Sequence, residues 1–74
     1  MRLPRVTGRE VVRALERAGF VFDRQRGSHV ILLNPETRRR VSIPVHAGRT
    51  VKVGTLRGIL EDAGITPDAF RRFL

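Results

Sequence analysis

The 74-residue chain contains no cysteine, no tryptophan and no tyrosine. Without cysteine there is no disulfide and no thiolate metal site. The two histidines and seven acidic residues are scattered, with no metal-ligand spacing among them. No metal and no small-molecule cofactor is therefore expected. Four phenylalanines are the only aromatics, and their spacing places all of them in the core. That disfavours a sheet that stacks bases on exposed rings. No apolar run approaches membrane-spanning length, and the opening MRLPRVTGRE lacks the apolar centre of a signal peptide. A cytoplasmic protein with no membrane partner is expected. A chain this short buries only about 60 % of the surface exposed when unfolded, which leaves room for one domain, residues 1–74.

What the chain does have is positive charge. Fifteen basic residues against seven acidic ones leave a net +8. A field of that sign on so small a surface favours polyanions, nucleic acid first. All the cations but Lys52 are arginine, whose planar fork matches a phosphate with two hydrogen bonds.

Thr7-Gly8-Arg9-Glu10 has the pattern of a helix-opening capping box. Val11, Val12, Leu15 and Ala18 follow at helical spacing, and Gly19 stops the helix in a left-handed turn, with Phe20 folding back on Leu15. Arg9, Arg13 and Arg17 recur every fourth residue along one side. A solvated face and an anion-facing stripe both fit them. Residues 20–26 and 29–33 read as two strands joined by Gly27-Ser28, a link suited to a type II′ hairpin. Asn34-Pro35-Glu36-Thr37 is a second turn, and residues 38–43 a third strand that opens with Arg38, Arg39 and Arg40. Val53, Leu56, Ile59, Leu60 and Ala63 mark a second amphipathic helix closed by Gly64, with Ile65 touching Leu60. Thr66-Pro67-Asp68 opens a last short helical turn, which Phe70 and Phe73 or Leu74 should pin to the body. The order is α-β-β-β-α plus that turn, an α+β protein.

The hairpin fixes where the first histidine lies. With Gly27-Ser28 as the loop, Arg26 and His29 face each other. Phe20, Phe22, Ile31 and Leu33 share their face, which predicts that this face packs on the helices and leaves His29 at its rim. A rim histidine is anchored yet reachable. Cleavage of RNA without a metal needs a base for the 2′-hydroxyl proton, an acid for the leaving oxygen and cations for the charge developing on phosphorus. His29 could be the base, Arg26 could hold the phosphate, Ser28 could donate from the turn, and Gly27 and Arg24 are supporting candidates beside them. A partly buried histidine bonded to a backbone carbonyl is the plainer alternative. His46, in a loop between Pro44 and Gly48, could supply a second acid.

RQRGSHVILLNP followed by RRVSIPVHAGRTVKVGTLRGILEDAGI resembles the HicA-type mRNA interferase toxins, the small partners of HicB-type antitoxins. The likeness runs from the first helix through Ile65. Its specific parts are Gly27-Ser28-His29, IPVH at 43–46 and GTLRGIL at 54–60. The resemblance implies a double-stranded-RNA-binding-domain-like fold, with a three-stranded antiparallel sheet packed on two helices. It also implies metal-free cleavage of mRNA, with His29 as the catalytic residue and a HicB-type protein as inhibitor. Many members carry lysine before the glycine and a polar residue after the histidine. Here Arg26 keeps the charge, and Val30 removes a possible helper.

Two other readings stand beside a nuclease: an RNA-binding module without catalysis, and a basic surface that serves only a protein partner. RNA could cross the Arg9, Arg13, Arg17 stripe or the Arg38, Arg39, Arg40 strand; the sequence does not choose.

Overall fold

The computed structural model describes residues 3–74. Its elements are α1 (Gly8–Arg17), β1 (Val21–Arg26), β2 (His29–Leu33), β3 (Arg40–Pro44), α2 (Val53–Ala63) and α3 (Pro67–Phe73). The three strands form one antiparallel sheet in the order β1-β2-β3. This is the expected α+β, double-stranded-RNA-binding-domain-like architecture.

Local chemistry sets the helix ends. The Glu10 backbone N–H donates to Thr7 Oγ1 at 3.2 Å, and the Thr7 N–H donates to Glu10 Oε1 at 2.8 Å, closing the capping box. At the other end Gly19 takes φ +105°, and the Phe20 N–H donates to the Leu15 carbonyl at 3.0 Å. α2 ends the same way, with Gly64 at φ +71° and the Ile65 N–H on the Leu60 carbonyl at 3.0 Å. Thr66 caps α3 through the Ala69 N–H, with Pro67 in the first turn.

The core joins Val11, Ala14 and Leu15 of α1 to Leu56, Ile59, Leu60 and Ala63 of α2, with Phe70 of α3 and Phe20. The sheet contributes Leu32, Val41 and Ile43, with Val30 packed against them. β1 contributes nothing to it; all six of its residues are exposed.

This reverses the expected sheet face. The tip of the hairpin pairs as anticipated: Arg26 with His29, Gln25 with Val30, Arg24 with Ile31. A bulge at Asp23 then shifts the register, so that Phe22 pairs with Leu32 and Val21 with Leu33. Cross-strand partners share a face. Since Val30 and Leu32 point to the helices, His29, Ile31 and Leu33 lie on the open face with Arg24 and Arg26. The phenylalanine count that suggested the opposite rested on Phe22, which is 57 % exposed; not all four rings are in the core. Val53, assigned to the apolar face of α2, is likewise 56 % exposed. The third strand starts at Arg40 rather than residue 38, because Arg38 takes a left-handed turn conformation (φ +66°).

The segment after β3 is held close to α1. Gly8 packs so tightly on the Pro44 carbonyl and on Val45 that a side chain has no room there. The Val51 N–H donates to the Val6 carbonyl at 2.7 Å, and Thr7 bridges to Thr50. As a result the hairpin tip, the 45–52 segment and the N-termini of α1 and α2 gather at one end of the molecule.

Candidate active site and nucleic-acid interface

His29 is the first residue of the middle strand. Arg26 lies directly across from it on β1 and Pro44 on β3. Its side chain is exposed, and among the described residues it makes no hydrogen bond or ion pair.

The turn that presents it is fastened three ways. Gly27 has φ +60° and Ser28 does not share that sign, the pattern of a type II′ turn. The Ser28 carbonyl accepts from the Val45 N–H at 2.8 Å, which ties the turn to the end of β3. Gln25 Nε2 donates to the Gly27 carbonyl at 3.0 Å, bracing the turn from β1. That brace was not anticipated; its one signal in the sequence is an amide two residues before a turn glycine.

On the open face, rows of cross-strand neighbours surround the imidazole. Arg26, His29 and Pro44 form the first row, Arg24, Ile31 and Ser42 the second, and Val21, Leu33 and Arg40 the third. Ile31 is only 9 % exposed although it stands apart from the main core, so the second row shelters it. Arg40 Nε meets Asp23 Oδ2 at 3.4 Å, the one salt bridge among the described residues. Arg24 and Arg26 have no such partner there, so their guanidinium groups flank the histidine uncompensated.

The other candidate cations are distributed differently. Arg9 and His46 line a cleft with Thr7, Gln25, Val45, Ala47 and Gly48. Gln25 pairs with Val30 and so belongs to the helix-packed face; Arg9 and His46 therefore lie across the hairpin tip from His29. Arg17 donates to the Phe73 carbonyl at 2.8 Å. Arg13 lies with Glu10, Arg17 and Leu74 in a separate groove. Arg39 donates to the Asp62 and Glu61 carbonyls at 3.2 and 3.5 Å, at the C-terminus of α2, where a cation is favoured by the helix dipole. Arg38 is exposed in the turn. Of the two arginine triplets, only Arg9 shares the end that carries His29.

Charge is polarised along the molecule. Glu16 lies in the last turn of α1, Glu61 and Asp62 in the last turn of α2, Glu36 in the 34–39 turn and Asp68 in the first turn of α3, which follows the end of α2. Asp23 is paired with Arg40, and Glu10 is engaged in the capping box, where the Thr7 backbone N–H and then its hydroxyl hold its carboxyl below the ordinary value. The His29 end thus keeps its cations, and both main helices point their positive N-termini toward it.

The chain is thus a small α+β domain with a solvent-facing histidine on its middle strand, flanked by arginines that have no ion-pair partner among the described residues. The family model described as HicA toxin of bacterial toxin-antitoxin matches residues 8–65. The chain therefore belongs to the HicA toxin family, a toxin of a toxin–antitoxin pair. No curated protein matches the chain. Among the described residues no helix is long and apolar enough to cross a membrane.

Proposed function

We propose that this toxin is an endoribonuclease that cuts mRNA without a metal, and that a HicB-type antitoxin neutralises it by covering His29. The observation that carries the reading is the exposed His29, braced on the middle strand beside the uncompensated Arg26 and Arg24. His29 accepts the proton of a ribose 2′-hydroxyl. The 2′-oxygen forms a bond to the adjacent phosphorus, the bond from phosphorus to the 5′-oxygen breaks, and that oxygen takes a proton from solvent. A 2′,3′-cyclic phosphate and a 5′-hydroxyl result. Arg26 and Arg24 stabilise the charge that builds on the phosphoryl oxygens. Family membership supports the assignment of His29, which sits in the Gly-Ser-His segment inside the matched region.

The test is RNA cleavage by wild type and by His29→Ala in the presence of EDTA. A positioned general base contributes roughly 10²- to 10⁴-fold, so the variant should lose that much rate while its RNA affinity stays near wild type. A wild type that binds RNA with a steep salt dependence but never cuts it would leave a binding module. No salt-dependent RNA affinity at all would leave a surface that serves only a protein partner.

A further inference from the structure

Two adjoining grooves run along residues 44–57, at the end of the molecule that carries His29. The first, about 270 Å³, is lined by Pro44, His46, Arg49, Lys52 and Thr55, among others. The second, about 880 Å³, is lined by Leu3, Pro4, Arg5, Val53 and Arg57, among others. They share Thr50, Val51 and Lys52. The lane begins at Pro44, the cross-strand neighbour of His29.

Arg5, Arg49, Lys52 and Arg57 stand along this lane, and no aspartate or glutamate lines either groove. Unlike Arg17, Arg39 and Arg40, these four make no side-chain hydrogen bond or ion pair among the described residues. The floor is apolar where Val53, 56 % exposed, joins Pro4 and Val51. We propose that this lane is the track for the RNA strand leaving the cut site, with phosphates on the cationic rim and riboses and bases over the Val51–Val53 floor. The inference rests on RNA being the substrate of His29. Its continuity with Pro44 and its one-signed rim favour a polyanionic chain over a folded protein partner.

The test uses the His29→Ala protein, so that bound RNA stays intact. Fluorescence anisotropy measures its affinity for a single-stranded RNA oligonucleotide across a salt series. Adding Lys52→Ala and Arg57→Ala removes two phosphate contacts. On single strands each contact contributes about 0.7 to the slope of log affinity against log salt. The slope should therefore fall by about 1.4, and affinity at 0.1 M salt by roughly 25-fold, from the same slope extrapolated to 1 M. Arg71→Ala with Arg72→Ala, on α3, removes the same charge elsewhere and should change the slope far less. Circular dichroism melting checks that both pairs fold.

An unchanged slope for the Lys52 and Arg57 pair, or an equal loss for the α3 pair, overturns the track. Loss of antitoxin binding with RNA affinity intact overturns it too, and gives the lane to the partner protein. Cleavage is read separately, with His29 restored. Lane substitutions should raise KM for long RNA and leave kcat near wild type, whereas failure of the nuclease reading would show as no cleavage in any form.

Discussion

A single methyl group at Gly8 tests how the start of α1 is held against the end of β3. An added Cβ would collide with the Pro44 carbonyl oxygen and come within 2.9 Å of Val45 Cα. Both obstacles are backbone, so neither can rotate aside. Overpacking costs typically about 1–3 kcal/mol, and rigid neighbours put this site at the upper end. The helix preference of alanine over glycine offsets less than about 1 kcal/mol of that. Gly8→Ala should therefore lose about 2 kcal/mol, or roughly 8–16 °C in Tm at ~4–8 °C per kcal/mol for a chain of this size. Gly58, in the interior of α2, is the opposing control, because a Cβ there meets nothing within 4 Å. Gly58→Ala should gain about 0.5–1 kcal/mol. Both are read by thermal melting followed by circular dichroism. Hydrogen exchange adds a local check, since the strained variant should lose protection at the Val51 N–H, which bonds Val6. A Gly8→Ala protein that melts with wild type, or two alanine variants that shift the same way, would refute the close-approach argument.

Thr7→Ala removes one half of the capping box and should cost about 0.5–2 kcal/mol in urea denaturation. The Glu10 carboxyl is held below its ordinary 4.5, chiefly by the Thr7 backbone N–H, then by the Thr7 hydroxyl, with help from Arg13. Its contribution is therefore complete above pH 4.5 and lost as pH falls through the lower folded value. The stability gap between wild type and Glu10→Gln should narrow on that acid side, and a gap that is constant down to strong acid would count against it. Arg39→Ala breaks the bonds to the α2 C-terminus and should lower stability by about 1–2 kcal/mol; an unchanged melting curve would show the contact is idle. A double-mutant cycle on Asp23 and Arg40, whose side chains are 30 % and 56 % exposed, should give a coupling below about 1 kcal/mol.

Those features differ in how visible they were in the sequence. The capping box, the two glycine helix endings and the Gly27-Ser28 turn are each written within six residues, and short-range hydrogen bonds realise them. Which face of the hairpin packs inward is not local. It depends on the Asp23 bulge and on β3, whose Val41 and Ile43 oppose Leu32 and Val30, whereas the apolar residues of β1 stay outside. Whether an arginine is free is less local still. Arg39 meets its carbonyls 22 and 23 positions away, and Arg17 its carbonyl 56 positions away, so triplets alike on paper differ in the fold. The His29 segment was legible because a tight turn and its first pair fix each other; the Arg49–Arg57 lane was not, because residues 3–5 from the start of the chain must fold against the 44–57 stretch to complete it.

The placement of His29 on the interior strand limits how a partner can cover it. Both hydrogen-bonding edges of β2 are consumed by its neighbours, so no partner can annex that strand by extending the sheet. A strand added along either outer rim would leave the imidazole reachable. Only an occluding surface laid flat over the arginine rows can shut it off, and acidic side chains on that surface would meet Arg24 and Arg26 on the way down.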